Sequence, residues 1–251
     1  MGRGVLRPEE AATRFRLARH SPSEALAPFV DYYWIPRWDL RGKPPYAQTI
    51  LPHPNVHLVF EASGAGIFGV NRRLFTRSLS GLGLAFGVRF LAGCFRPFWQ
   101  APISQLTDRV VPAARLFGPQ AEKTRQAIMR ASAGSADAGV SADAGVSADA
   151  GGSADAGGSA DAGGSADAGG SADAGGSADA ADARMIGYAE ALLCSVRPER
   201  DRMAEQVAAL VSYITADPGL RRVNQLAAAS GMTARSCSGC SPTTWGSAPS
   251  G

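Results

Sequence analysis

The residues of this chain whose types and spacing best suit a metal site are two histidines, His53 and His57, which are four positions apart. On a helix this spacing would put both imidazoles on one face, where they could share a metal ion. Pro52 and Pro54 flank the first histidine and exclude a helix there. On a strand, four residues span about 13 Å. Neither geometry lets one ion join both rings without a bend, so the sequence predicts no metal and no cofactor, and assigns the pair to strand-edge packing and hydrogen bonding.

Arg89 is a second candidate for chemistry, since it stands between Val88 and Phe90 and faces away from them on a predicted strand. It either pairs with Glu61 or points into a pocket toward an anionic ligand, and a paired or exposed arginine is the simpler interpretation. Arg89 and His57 are therefore the candidate ligand-binding residues. The chain offers no Ser/His/Asp order, phosphate-binding loop or supported pair of carboxylates, so the sequence predicts no enzyme.

Alternating apolar residues predict the strands that would position these side chains. Residues 56–60 place every second side chain on one face, and residues 84–90 alternate large residues with small or charged ones. Glycines after and between the runs predict turns or bulges, at Gly64, Gly66, Gly69, Gly81 and Gly83. A short helix is expected within 102–117. These patterns predict an α+β fold with a β-rich N-terminal domain.

A hexad repeat follows that domain. The tetrapeptide SADA begins at every sixth residue from Ser135 to Ser177, and its residues include no side chain large enough to fill a core. Such a composition does not offset the loss of chain entropy on folding, so residues 131–182 are predicted to be a disordered linker. A left-handed β-helix is the alternative for a hexapeptide repeat, but it needs an aliphatic residue in each hexad, and only Val140 and Val146 are present.

Helical periodicity returns after the repeat. Residues 185–196 and 201–216 each place apolar side chains on one face, and a third, short helix is predicted over 223–229. Gly231 then allows the positive φ of a tight turn, and Thr233 can cap another helix. A helix, a glycine turn and a capped second helix form the pattern of a DNA-binding helix-turn-helix.

The stretch DPGLRRVNQLAAASGMTARS, residues 217–236, resembles the first helix-turn-helix of AraC-type bacterial transcription regulators. The family pattern L-A-x-x-x-G-M-S-x-R is matched in order by Leu226, Ala227, Gly231, Met232, Thr233 and Arg235. The resemblance implies DNA as a partner. The residues implied in DNA contact are Arg222, Asn224 and Gln225 from the first helix, and Thr233 and Arg235 from the second.

The resemblance stops after Ser236, and the tail CSGCSPTTWGSAPSG has no helical period. One coding string compatible with this tail, regrouped after one added base, encodes LQRLFADYVGVSPKW, which resembles the continuation expected of the family. We therefore predict that residues 237–251 are out of frame after the loss of one base, and that the chain as written does not bind DNA specifically. The frame change also accounts for Cys237 and Cys240, whose spacing could otherwise serve zinc or redox chemistry.

Residues 26–118 resemble an uncharacterised domain that precedes the DNA-binding part in many AraC-type regulators of GC-rich bacteria. The motifs that carry the resemblance are FVDYYW from Phe29, LPHP from Leu51, VHLVFE from Val56, GVRF from Gly87, FRPF from Phe95 and LTDRVVP from Leu106. The resemblance implies a cupin-like barrel that binds a small-molecule effector or forms a homodimer.

Charge is distributed unevenly. Residues 1–130 carry 18 Lys and Arg against 8 Asp and Glu, whereas residues 131–182 carry 9 Asp and no base. A basic surface suits nucleic acid, and an Arg-rich surface encoded by a GC-rich genome explains it equally well. No apolar run is long enough to span a membrane, the N-terminus lacks the apolar centre of a secretory signal, and the isolated Cys94 and Cys194 suit a reducing cytoplasm.

Together these patterns predict a cytoplasmic transcription regulator by descent. The alternative is an effector-binding or oligomerising module without DNA binding. The predicted segments are an N-terminal arm (1–25), a β-rich effector or dimerisation domain (26–130), the linker (131–182), a partial all-α helix-turn-helix domain (183–236) and the out-of-frame tail (237–251).

Overall fold

The computed structural model describes residues 8–133, 172–217, 219 and 225–227. Strands dominate the first part and helices the rest, which confirms the α+β class. In chain order the elements are α1 (Pro8–Ala12), β1 (Phe15–His20), β2 (Val30–Leu40), β3 (Tyr46–Ile50), β4 (His57–Glu61), β5 (Gly64–Phe68), β6 (Phe75–Leu79), β7 (Gly81–Phe90), a 3-10 turn (Ile103–Leu106), β8 (Val110–Pro112), α2 (Ala114–Phe117), α3 (Gln120–Ala133), α4 (Ala172–Ser195) and α5 (Arg202–Ala216).

Six strands form one antiparallel sheet in the order β1-β2-β7-β4-β5-β8, and β3 pairs with β6 in a separate two-stranded ribbon. The long central strands β2 and β7 pair Trp34 with Gly87 and Trp38 with Gly83. Because side chains alternate along a strand, each strand sends one set to each face of the sheet. Gly66 and Gly83 lie inside β5 and β7, where the sequence predicted turns or bulges.

One face of the sheet carries an aromatic core. The rings of Tyr33 and Phe86 stack with centroids 5.9 Å apart, and Phe60 lies 6.2 Å from Phe86. Phe90 continues this layer to the loop after β7, where its centroid is 4.8 Å from that of Phe95. All five side chains are buried, which confirms the alternation predicted from the sequence for 84–90.

Helices α3 and α4 cover this core. Ile128 of α3 joins the same cluster of buried side chains as four residues of α4 that recur at helical spacing, namely Met185, Ala189, Leu192 and Leu193. Removing apolar surface of this kind from water stabilises a fold by about 25 cal/mol for each Å² buried. Helix α4 is therefore part of the same core as the sheet, and not the start of a separate domain at residue 183.

Polar contacts fix α4 to the sheet as well. The carboxylate of Asp182 is 2% exposed and pairs with Arg37 of β2 and with His20 of β1. The Glu190 carboxylate accepts hydrogen bonds from the Tyr33 hydroxyl at 3.0 Å and from the backbone N–H of Ser23 at 2.9 Å. Burial and the neighbouring Glu190 raise the pKa of Tyr33 well above its ordinary value, so this phenol remains a hydrogen-bond donor.

These contacts change the predicted boundaries. Residues 131–133 complete α3, and α4 already includes residues 172–182, so the ends of the predicted linker are helical. This stretch keeps one glycine pair, Gly175-Gly176, but alanines follow it at 178, 180 and 181, and alanine favours a helix. The rest of the predicted linker lies outside the described residues. The predicted N-terminal arm (1–25) contains β1, which pairs with β2 as an edge strand of the sheet.

Helix α5 begins where the sequence predicted. The Asp201 side chain accepts from the backbone N–H groups of Met203 and Ala204 at 2.8 and 3.3 Å, which satisfies the free donors of the first turn. Val207 and Leu210 are buried, so part of the predicted apolar face of this helix is packed. Among the described helices, none is long and apolar enough to cross a membrane.

Candidate functional site

The face of the sheet opposite the helices lines a cavity of about 200 Å³. Strands β1, β2, β4 and β7 form one wall, and the β3–β6 ribbon contributes residues to the other side. The lining is rich in aromatic side chains, namely Phe15, Tyr32, Trp34, Trp38, Phe68 and Phe75. The cavity therefore offers flat apolar surfaces to an occupant.

Glycines on β7 make room for two of these aromatic side chains. A Cβ atom added at Gly87 would lie 1.9 Å from Cε2 of Trp34, and one added at Gly83 would lie 2.3 Å from Cζ2 of Trp38. Each indole thus occupies the space above the glycine paired with it across the strands. Aromatic side chains of this size are most often core residues. Trp34 and Trp38 line the cavity instead, whereas Trp99 is a core residue.

Arg89 lies at one end of the cavity. Its guanidinium donates to the Tyr32 hydroxyl at 2.8 Å and to Oδ1 of Asn55 at 2.9 Å. Its Nε atom lies 3.2 Å from Oδ2 of Asp31, but it makes no hydrogen bond of acceptable geometry. Arg89 is thus held at the cavity wall, and its buried Nε group is in an ion pair with Asp31 but makes no hydrogen bond. Of the two predicted alternatives, the pairing of Arg89 with Glu61 is wrong.

His57 is the neighbour of Arg89 across β4 and β7. The indole N–H of Trp34 donates to Nδ1 of His57 at 3.2 Å, so the neutral ring carries its proton on Nε2. Burial, followed by the positive charge of Arg89, lowers the pKa of His57 to about 3. His57 is therefore an uncharged hydrogen-bonding group at ordinary pH.

His53 stands close to the same end of the cavity. Burial and the charge of Arg89 lower the pKa of His53 as well, and its Nε2 atom is buried without a hydrogen-bond partner in the protein. In the described part of the chain, no group of three or more His, Cys, Asp or Glu side chains is arranged to hold a metal ion.

Glu61 and Gln48 form a second polar region. One oxygen of Glu61 pairs with Arg77, and Arg77 lies opposite Gln48 in the ribbon. The amide of Gln48 donates to the carbonyl of Thr49 at 2.8 Å. The remaining oxygen of each side chain, Oε1 in both, is buried with no hydrogen-bond partner. Two acceptors thus make no hydrogen bond at this end, whereas the Arg89 end presents a charged donor whose Nε–H makes none.

The charges of the cavity are unequal. Its lining contains the cations Arg19, Arg77 and Arg89 and the single carboxylate of Glu61. Asp31 beside Arg89 offsets one further charge, which leaves an excess of positive charge around the cavity. An apolar cavity with a few convergent polar groups is typical of a small-molecule binding site.

Of the predicted DNA-contact residues, the structure describes Gln225. Gln225 is exposed in the short helical segment 225–227. Arg222, Asn224, Thr233 and Arg235 lie outside the described residues, as does the tail from Cys237.

Comparison with known proteins bears on the N-terminal part of the chain. Residues 18–112 match the family model of a domain of unknown function, DUF6597. No curated protein and no solved structure matches the chain. The matched segment includes every residue that lines the cavity except Phe15 and Leu17, so the cavity belongs to the matched domain.

Proposed function

We propose that this chain is a transcription regulator of the AraC type by descent, whose cavity binds a small-molecule effector and whose C-terminal segment no longer reads DNA specifically. The observation that carries the proposal is the cavity itself, with aromatic walls and four buried polar atoms that make no hydrogen bond, on Gln48, His53, Glu61 and Arg89. An unpaired buried polar group costs about 1–3 kcal/mol, and a ligand that pairs with such groups recovers part of that cost.

The DNA-binding half of the proposal is supported by the sequence alone, through the resemblance of residues 217–236 and the frame change that follows. The fold supplies a physical connection between the two halves. Strand β2 lines the cavity with Trp34 and Trp38, and its opposite face contacts α4 through Tyr33 and Arg37. Helix α4 is followed by α5 and then by the helix-turn-helix segment, so a shift of β2 on ligand binding has a route toward it.

The alternative function, an effector-binding module without DNA binding, is favoured by the same cavity. In the chain as written, both functions predict ligand binding and differ only in the ancestry of residues 217–236. The homodimer implied by the family resemblance stays a prediction.

A thermal-shift screen tests the effector role. We expect some members of a library of organic acids, sugars and aromatic compounds to raise the Tm of the wild-type chain and not that of Ala85→Trp. Ala85 lines the cavity and is 3% exposed, so an indole at this position fills the space. Ala85→Leu is the milder replacement if tryptophan prevents folding. If no compound stabilises the wild type in a cavity-dependent way, the effector role is wrong.

Fluorescence anisotropy tests the DNA-binding half. The chain as written should bind genomic fragments weakly and without sequence preference, with an affinity that falls steeply as salt rises, because only Arg contacts to phosphate remain. The reading frame restored after Ser236 should return selective binding. Selective binding of one promoter by the chain as written, or no selectivity after the repair, would contradict this part of the proposal.

A further inference from the structure

We infer that the cavity takes a small planar aromatic carboxylate that also carries a hydrogen-bond donor at the end opposite its carboxylate. This inference rests on the proposed effector role and specifies its ligand. It follows from the size of the cavity, the shape of its walls, and the opposite hydrogen-bonding character of its two ends.

Size and shape set the hydrocarbon part of the ligand. A cavity of about 150 Å³ with apolar walls is enough for one benzene molecule, and this cavity measures about 200 Å³. One aromatic ring with short substituents therefore fits. The indoles of Trp34 and Trp38 cross the glycines of β7 and present flat surfaces, and aromatic rings gain about 0.5–1.5 kcal/mol from pairing beyond their area burial.

The Arg89 end favours an acceptor that carries negative charge. Arg89 brings a positive charge, and its buried Nε–H makes no hydrogen bond although it lies 3.2 Å from Oδ2 of Asp31. The proton on Nε2 of His57 makes that ring a second donor. Tyr32 and Asn55 orient the guanidinium, so it is held in place before a ligand arrives. Asp31, 36% exposed, already lies beside Arg89, yet the three arginines of the lining still outnumber the two carboxylates.

The Glu61 end favours a donor. The unpaired atoms there are Oε1 of Glu61 and Oε1 of Gln48, which both accept. The pair of Glu61 with Arg77 satisfies the other oxygen of Glu61 and keeps a guanidinium at this end, so a neutral hydroxyl or amide N–H fits better than a cation. His57 and Glu61 begin and end β4 on the same face, which separates the two ends by about 13 Å along the strand.

Isothermal titration calorimetry on the full chain tests this ligand class with four matched compounds. These are 4-hydroxycinnamate, its uncharged amide, cinnamate without the hydroxyl, and 4-methoxycinnamate, which keeps an oxygen but cannot donate. We expect 4-hydroxycinnamate to bind with a stoichiometry of one. The amide should bind at least roughly tenfold more weakly, since a hydrogen bond to a charged group is lost. The two compounds without a donor should bind a few-fold more weakly.

Protein variants locate the effect. Arg89→Gln should abolish the preference for the acid over the amide, whereas Arg89→Lys should keep part of it. Arg73→Gln is the matched control, because Arg73 is exposed and does not line the cavity, and it should bind as the wild type does. If Arg89→Gln does not fold, the comparison of acid with amide on the wild type still decides the question.

The outcomes separate the ligand class from the effector role. Equal affinity for acid and amide, or a preference for the acid that survives in Arg89→Gln, would overturn the ligand class and leave the effector role standing. If none of the four compounds binds while the thermal-shift screen yields cavity-dependent hits, the proposed ligand class is wrong and the effector role still stands. Failure of both experiments would overturn the effector role itself.

Discussion

The contact between Gly87 and Trp34 gives the sharpest perturbation of the cavity wall. In Gly87→Ala the new Cβ would lie 1.9 Å from Cε2 of Trp34, whereas carbon atoms pack at about 3.5–4.0 Å. The indole must therefore move by about 1.5–2 Å. The neighbouring strand blocks it on the sheet side, so it moves into the cavity and away from Nδ1 of His57, with which it now makes a hydrogen bond of 3.2 Å.

The magnitude follows from these contacts. Overpacking costs about 1–3 kcal/mol, and the lost hydrogen bond adds about 1 kcal/mol. Alanine restricts the unfolded chain relative to glycine and recovers about 0.4–1 kcal/mol. We expect Gly87→Ala to lower the free energy of unfolding by about 1–3.5 kcal/mol in urea titrations, and to weaken any cavity ligand at least roughly tenfold because the indole occupies its space.

Matched variants complete the experiment. In Gly66→Ala the nearest atom to the new Cβ is Cγ1 of Val110, at 3.1 Å, and Val110 is exposed and can move. This control should cost less than about 1 kcal/mol. Trp34→Phe should rescue Gly87→Ala in a double-mutant cycle, because the smaller ring vacates the contested space. If Gly87→Ala is as stable as the control, or Trp34→Phe does not rescue it, the close packing of Trp34 on β7 is wrong.

Three further predictions follow from the helix contacts and the buried histidine. Asp182→Asn should lower the free energy of unfolding by about 1–3 kcal/mol, since it leaves the half-buried Arg37 without its carboxylate partner. The control Asp179→Asn, at an exposed position of the same helix, should leave the free energy of unfolding nearly unchanged. Burial lowers the pKa of His57 to about 3, so its contribution to stability is present above the unfolded pKa of about 6.5 and is lost as pH falls toward 3. His57→Gln should flatten the fall in the free energy of unfolding between about pH 7 and 5, by up to about 2 kcal/mol at pH 5, and an unchanged slope would count against a neutral His57 in the folded protein. Replacing residues 134–171 with a Gly/Ser linker of about a dozen residues should preserve the circular dichroism spectrum and the Tm, because the closure entropy of a connecting segment changes only slightly with its length. A chain that ends at residue 133 should not fold, since the core loses Met185, Ala189, Leu192 and Leu193. A stable truncated chain would show that α4 is not part of this domain.

Periodicity predicted the strands well because alternation reflects burial on one face. Phe86, Val88 and Phe90 are fully buried, as the sequence indicated. The residues that alternate with them lie on the other face of β7, which forms part of the cavity wall. These residues are Gly83, Ala85, Gly87 and Arg89. Small residues at every second position are the signal for a close approach by large side chains from a neighbouring strand, whereas the sequence pattern at Gly83 predicted a turn or bulge.

The ends of the repeat could not be predicted from composition. The alanine-rich residues 178–182 resemble the repeat in composition, but Asp182 meets Arg37 and His20 from strands more than a hundred residues earlier. Only the tertiary fold brings these charges together, so local sequence gives no sign of them. The pairing of Glu61 with Arg77 was missed for the same reason, because the β3–β6 ribbon that carries Arg77 was not predicted.

The most direct test of the proposed effector site is a ¹⁵N–¹H NMR titration of the tryptophan indole N–H signals with the compound that most raises the Tm in the screen. Trp34 and Trp38 line the cavity, whereas Trp99 lies in the core on the other side of the sheet and serves as an internal control. We predict that the Trp34 and Trp38 signals shift and saturate with the added compound while the Trp99 signal stays in place. Saturable shifts at Trp99 with none at Trp34 and Trp38 would contradict a ligand site in this cavity.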